Sequence, residues 1–470
     1  MKRSVYREML AWKNSEDRKP LLLLGARQVG KTWLMQEFGR NEYENVLYAN
    51  FETAKGLSKY FEQSLEPSLI IPGLQAEFKM EIQPHKTLII FDEVQHSEHA
   101  LNSLKYFCEK APEYHIMAAG SFLGVATHGG FPVGKVNRIT LYPLSFYEFL
   151  DALGYESMPK AVYEKNLPLI QTLSSKFEEL LKIYFYVGGM PDAVLSYSKF
   201  NDIAKVRKIQ KDILEDYEAD FSKHVSPVNV PKVKMIWNSI PVHLAKEKKK
   251  FMYKEIKEGA RAHAYEDAMT WLFDTKLVYK VSQIATPVLP LSRTAQRDAF
   301  KLYMVDIGLL CAQTDLSIKT FFEPDNRIFG EFKGALTEQF VFQELKANSD
   351  YPVFYWANDS GQAEVDFLLQ YENELIPLEV KSGIQTKAKS LNVYMEKYNP
   401  SLAIKSSLKN YGKTGNLLSI PLYLLGHFLN TATRSTHRKA GLRDMALGLV
   451  FGEAMESINK KSPWPPIVAS

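Results

Sequence analysis

Cysteine is nearly missing from this chain: its 470 residues hold two, Cys108 and Cys311. That excludes a disulfide framework and a cysteine-built zinc site, and it favours a reducing cytoplasm. Apolar runs of the ~18 residues that a membrane span requires are also missing, so no transmembrane helix is expected. The opening segment, Met1 to Leu10, threads charges through its apolar positions and lacks the apolar stretch of a signal peptide. It reads as a short amphipathic helix. Neither charge sign dominates: the net charge of +4 permits local basic patches to meet nucleic acid without demanding it. Internal repeats and low-complexity tracts are absent too. What remains, 46% hydrophobic and 24% charged, describes a globular chain with ample core, long enough for two or three domains.

What is present begins at residues 25–32, Gly-Ala-Arg-Gln-Val-Gly-Lys-Thr. The segment has the form GxxxxGK[ST], follows the apolar run Leu21 to Leu24, and precedes a helix-like stretch from Trp33 to Phe38. In such a loop Gly25 and Gly30 let the backbone turn its N–H groups, including those of Ala26, Arg27, Gln28 and Val29, toward phosphate oxygens. The helix beginning near Lys31 adds its positive end. Lys31 is placed for the β- and γ-phosphates of ATP, and the Thr32 hydroxyl for Mg²⁺.

Downstream, Thr87 to Phe91 is an apolar run that ends on Asp92 and Glu93. It reads as a buried parallel strand that delivers two acids at its C-terminal end, where doubly wound sheets place ligands. Asp92 is expected to hold Mg²⁺ through water, and Glu93 to polarise the attacking water. The strand-like His115 to Gly120 ends at Ser121, a candidate γ-phosphate sensor. Arg138, ahead of another apolar strand, is a candidate arginine finger acting in cis or from a neighbouring subunit of a homo-oligomer. A small-molecule kinase shares the phosphate loop, but the Asp92-Glu93 pair and the large attached domains argue against one.

Residues 20–145 alternate strands and helices, as an α/β nucleotide-binding domain does. Residues 160–245 read as helical, with Gly188-Gly189-Met190-Pro191 as a turn between helices. The next segment offers a short helix from Phe251, a second helix over 264–276, and strand-like runs at 277–281 and 300–305. That order is expected of a winged helix. Lys246, Lys248, Lys249, Lys250, Lys254, Lys257 and Arg261 make its entrance basic, as a phosphate-meeting patch would be.

A second constellation follows. Strand alternation puts Glu364 and Asp366 on one face, and Glu379 and Lys381 on one face of the next strand, with a polar turn at 371–374. Asp366 and Glu379 are expected to converge on one Mg²⁺ or Mn²⁺ with the Val380 carbonyl, while Lys381 orients water or stabilises developing charge. Glu338, on an amphipathic helix upstream, is within sequence reach of the same site. Chemically this is the core of a metal-dependent nuclease, or of a domain that binds nucleic acid without cutting it.

Taken together, these segments resemble a family of prokaryotic AAA-type ATPases that carry a C-terminal domain of formerly unknown function. The marks are residues 25–32, Ile89 to Gln95, Gly120-Ser121, Tyr142 to Phe146, Gly188 to Ala193, Glu364 to Phe367 and Leu378 to Gly383. Phe122 stands where members often carry a second serine. The resemblance covers about residues 1–430. It implies an α/β multidomain chain: an AAA-type P-loop domain over 1–155, a helical region over 156–245, a winged-helix-like unit over 246–311, a linker over 312–328 and a PD-(D/E)xK-like domain over 329–430. Residues 431–470 are expected to be a poorly packed basic tail. The function that follows is Mg²⁺-dependent ATP hydrolysis coupled to a nuclease-like domain acting on DNA or another nucleic acid. The alternative is a nucleotide-switched binding protein whose nuclease-like fold only docks.

Overall fold

The computed structural model describes residues 1–120, 134–246, 249–322, 330–358, 360–383, 388–409 and 411–428. Two sheets organise it. The first contains β1 (Leu21–Leu24), β2 (Asn45–Asn50), β3 (Thr87–Asp92), β4 (His115–Ala119) and β5 (Asn137–Thr140). Their spatial order is β2-β3-β4-β1-β5, and every pairing is parallel. Parallel strands need covering on both faces, which is why β1, β3 and β4 are continuous apolar runs. Leu21, Leu23, Leu88, Ile90 and Met117 face one core. Leu22, Leu47, Ile89, Phe91 and Ile116 face the other, against the helices Pro67–Phe78 and Glu98–Lys110.

Helices follow from 146 to 244. The turn at Gly188-Gly189 separates the helices Ser174–Val187 and Pro191–Phe200. Neither glycine can carry a side chain here. A Cβ on Gly188 would stand 2.2 Å from Asp306 Oδ1, and one on Gly189 2.2 Å from the Leu144 carbonyl oxygen. Asp306 fastens this turn by accepting from the Gly189 N–H at 2.6 Å. The 22-residue helix Ile203–His224 then runs back across the first sheet's phosphate loop.

The second sheet comprises β6 (Val278–Ile284), β7 (Ala295–Met304), β8 (Val353–Ala357), β9 (Glu364–Tyr371), β10 (Glu374–Val380), β11 (Ala403–Ser407), β12 (Gly412–Thr414) and β13 (Leu417–Pro421). Its order is β12-β13-β11-β10-β9-β8-β6-β7. The hairpin β9–β10 forms as its alternation predicts, with Tyr371 opposite Glu374. The hairpin β6–β7, expected as a wing, instead forms one edge of this sheet. β6 pairs parallel with β8, Gln283 opposite Tyr355 and Ile284 opposite Trp356. Strands from both sides of residues 312–328 therefore share one hydrogen-bonded sheet. Within that stretch Lys319–Phe322 is a short helix, and residues 323–329 lie outside the described residues. So does the expected tail at 431–470.

Candidate nucleotide site and C-terminal charge cluster

The phosphate loop lies between β1 and the helix Lys31–Glu42. Gly25 has φ 143° and Gly30 has φ 93°, backbone states that side chains oppose. At Gly25 the packing is equally strict, because a Cβ there would sit 2.3 Å from the Leu141 carbonyl oxygen. Lys31 is 6% exposed, and its Nζ donates to the carbonyls of Gly25 at 2.9 Å and Ala26 at 2.8 Å. Burial depresses its pKa to about 8, against the opposing pull of Glu93 and Asp92.

Asp92, the last residue of β3, is 2% exposed. Its Oδ2 accepts from the Thr32 hydroxyl at 2.7 Å and from the Tyr48 hydroxyl at 2.8 Å. A hydroxyl and a carboxylate held together at the mouth of a glycine-lined loop are a hard-oxygen pair that suits Mg²⁺. Glu93 follows with φ 48°, and its Oε2 accepts from Gln95 Nε2 at 2.6 Å. The left-handed turn leads the chain out of the strand and into the short helical turn Val94–His96.

Several supports were not legible in the motif. Arg3, from the chain's start, is 9% exposed and donates to the Val29 carbonyl at 3.1 Å and to the Tyr142 carbonyl. The 203–224 helix grips the loop from the other side. Asp220 pairs with Arg27, Asp216 accepts from Gln28 Nε2 at 2.7 Å, and the buried Tyr217 donates to the Arg27 carbonyl at 2.8 Å. No periodicity announces contacts nearly two hundred residues apart. The only local signal was that Asp216, Tyr217 and Asp220 share one helical face. Arg138 lies on the edge strand β5 with an exposed side chain, in register with Leu22 and thus before the loop. Ser121, the candidate sensor, lies outside the described residues.

The C-terminal set does come together. Glu338, buried on the helix Gly330–Asn348, hydrogen-bonds with Asp366 and accepts from Tyr303 at 3.3 Å. Asp366 Oδ2 accepts from the Val380 N–H at 2.8 Å. Glu379 Oε1 pairs with Lys381 at 2.6 Å. Two lysines absent from the sequence-based set also enter. Lys249 pairs with Glu338. Lys301 from β7 has no exposure at all, and its Nζ stands 2.6 Å from Glu364 and 3.6 Å from Glu338.

The ionisation pattern follows from this crowding. Burial pushes Glu338 up, but Lys249 and Lys301 outweigh it and bring its pKa to about 2. Burial, then Glu338 and Glu379, lift Asp366 well above the usual carboxylate range. The two carboxyl groups therefore titrate as a pair, with Asp366 the one pushed up and Glu338 the one held down. Among the described residues, no three His, Cys, Asp or Glu side chains are arranged to hold a metal ion. The basic entrance is partly spent internally as well, since Lys246 pairs with Glu255 at 2.7 Å.

Residues 17–150 match the family described as an AAA domain. Two domains of unknown function follow, DUF8612 over residues 178–320 and DUF4143 over 333–425. The N-terminal unit is thus an AAA-type P-loop ATPase domain, and the C-terminal unit belongs to a type whose activity its family description leaves open. No curated protein matches the chain. Among solved structures, a Walker-type ATPase of Pyrococcus abyssi is similar at 15% identity, covering 67% of this chain and 95% of that one, with a TM-score of 0.43. The Aeropyrum pernix ORC1 protein in complex with DNA matches at 11% identity over 68% and 92%, with a TM-score of 0.27. AMPPCP-bound DnaA from Aquifex aeolicus matches at 15% identity over 56% and 86%, with a TM-score of 0.27. These likenesses are too low to carry a function from one protein to another. No helix among the described residues is long and apolar enough to cross a membrane.

Proposed function

We propose that this chain is a Mg²⁺-dependent ATPase whose C-terminal half is a PD-(D/E)xK-like unit that engages DNA or another nucleic acid. The observation that carries the ATPase reading is the 2.7 Å hydrogen bond joining Thr32 to Asp92 beside the 25–30 loop. The loop's backbone N–H groups bind phosphate, and Lys31 turns its ammonium from the Gly25 and Ala26 carbonyls to the β- and γ-phosphates. Thr32 and Asp92 would hold Mg²⁺, which neutralises phosphate charge when bound. Glu93, fixed by Gln95, orients and deprotonates the attacking water. Arg27 and Gln28 pass the state of the loop to the 203–224 helix through Asp220 and Asp216.

Arg138, exposed on the edge strand β5, serves in this reading as the arginine finger for a neighbouring subunit's nucleotide, which makes a homo-oligomer part of it. The nuclease-like assignment is supported by the convergence of Glu338, Asp366, Glu379 and Lys381, and a cytoplasmic location by the two unpaired cysteines. A second reading, a nucleotide-switched binder with a docking domain only, is favoured by the lysines buried among those carboxylates.

Phosphate release with and without DNA tests the proposal. Lys31→Ala is expected to lose measurable turnover. Glu93→Gln is expected to bind Mg-ATP and turn over at least ~10²-fold more slowly. Normal turnover in Lys31→Ala would remove the ATPase assignment.

A further inference from the structure

The C-terminal carboxylates invite a divalent ion, yet the chain brings its own cations to them. Lys301 reaches the cluster from β7, flanked by Phe300 and Leu302, and its ammonium has no solvent contact. It lies 2.6 Å from Glu364 and 3.6 Å from Glu338, with the Tyr355 ring centroid 4.8 Å away. Tyr303, two residues on and so on the same strand face, also reaches Glu338. Lys249 takes the other oxygen of Glu338 from a separate segment. Lys381 takes Glu379.

We propose that Lys301 and Lys249 are the built-in cations of this cluster: their ammoniums neutralise Glu338 and Glu364 where a divalent ion would have to sit, so the site binds neither Mg²⁺ nor Mn²⁺ and does not cut nucleic acid. Three observations support this. An ammonium and a dication cannot share one set of oxygens, since like charges a few ångströms apart in a buried site repel strongly. Three ammoniums already face the four carboxylates Glu338, Glu364, Asp366 and Glu379, which leaves at most a single negative charge, even with Asp366 ionised, for an ion carrying two positive ones. Among the cluster's fully buried polar side-chain atoms, only Glu379 Oε2 and Lys301 Nζ lack a hydrogen-bond partner, Lys301 holding its carboxylates as an ion pair, and a single unpartnered buried oxygen is a poor cage for a cation that demands near-octahedral coordination.

The positive role of the cluster is to fasten segments. Lys249 and Lys301 come from the middle of the chain, whereas Glu338, Glu364, Asp366 and Glu379 come from its last third. Each pair ties one to the other. A surface beside such a clamp can still receive a nucleic-acid backbone, through docking without chemistry.

This inference rests on the nuclease-like reading of the C-terminal unit and leaves the ATPase reading untouched. The test titrates the full-length, nucleotide-free chain with Mn²⁺, followed by the electron paramagnetic resonance of the free ion. Wild type and Asp366→Asn are expected to give the same isotherm up to about 1 mM Mn²⁺. Lys301→Met, which vacates the position, is expected to gain one equivalent of Mn²⁺ and a melting temperature raised ~3 °C or more by the ion. If that variant does not fold, Lys249→Ala, whose side chain is not fully enclosed, takes its place. Stoichiometric Mn²⁺ binding by wild type that Asp366→Asn abolishes, or Mn²⁺-dependent nicking of plasmid DNA by wild type, overturns the proposal while strengthening the nuclease reading. Lysine variants that fold and gain no Mn²⁺ overturn it as well. Failed ATP hydrolysis would strike only the N-terminal assignment.

Discussion

Lys31 makes nucleotide binding a proton-linked event. Its ammonium is buried against two carbonyls, and its pKa lies at about 8 rather than 10.5. Only the charged form complements phosphate, and bound phosphate raises the pKa again. With a free-state value of about 8, the ammonium fraction falls from ~0.9 at pH 7 to ~0.1 at pH 9. Mg-ATP affinity should therefore weaken about tenfold between those pH values, roughly 1.3 kcal/mol. Binding at pH 9 should take up ~0.9 proton per nucleotide, against ~0.1 at pH 7. Isothermal titration in two buffers of different ionisation enthalpy reads both quantities. Lys31→Arg cannot lose its proton and should show neither trend. Equal affinity at both pH values with no proton uptake at pH 9 would refute the burial argument. The same shift has a folding sign. Because the folded chain releases this proton first, burial of Lys31 costs stability below pH 8, and the cost fades as pH rises from about 8 to 10.5.

Two further outcomes are expected. Gly25→Ala places a methyl 2.3 Å from the Leu141 carbonyl oxygen at φ 143°, so nucleotide affinity should fall at least ~10²-fold. Fluorescent-nucleotide titration measures it, and retained affinity would show that the loop tolerates rearrangement. Glu344 is fully buried and raised to about 7 by that burial, and Asp306 to about 6 for the same reason. Both folded-state values lie above the unfolded ones, so protonation favours the fold. The urea midpoint should rise as pH drops from 8 to 5.5, with Glu344 contributing up to about 2 kcal/mol. Glu344→Gln should remove most of that rise, and a midpoint that stays flat in wild type would contradict the assignment.

The nucleotide site was legible because its chemistry is local. Gly25, Gly30, Lys31 and Thr32 fall within eight consecutive positions, and Asp92 closes a strand whose apolar run announces a buried parallel neighbour. The hairpin β9–β10 was legible for a similar reason: period-two alternation and a polar turn fix its register. The partners of these residues were not. Arg3 and Asp220 reach the loop from distant segments, and pairing of that kind leaves no trace in periodicity. Lys301 was the most concealed, because a lone lysine in an apolar strand reads as an outward-facing residue. The β6–β8 pairing was concealed in the same way. Parallel partners need not be neighbours in sequence, so the hairpin at 278–304 looked self-sufficient.

That pairing bears on how the chain can be divided and recombined. β8 presents its outer edge to β6, with the Trp356 indole N–H seated on the Ala285 carbonyl at 3.1 Å. Cutting between residues 320 and 333, where family boundaries invite the scissors, would strip β8 of its neighbour and leave an apolar strand edge open to foreign chains. The portable module is therefore longer than its family match. It takes in the hairpin β6–β7 and the segment leading to it, where the Phe251 N–H bonds the Phe300 carbonyl at 2.8 Å and Lys249 pairs with Glu338.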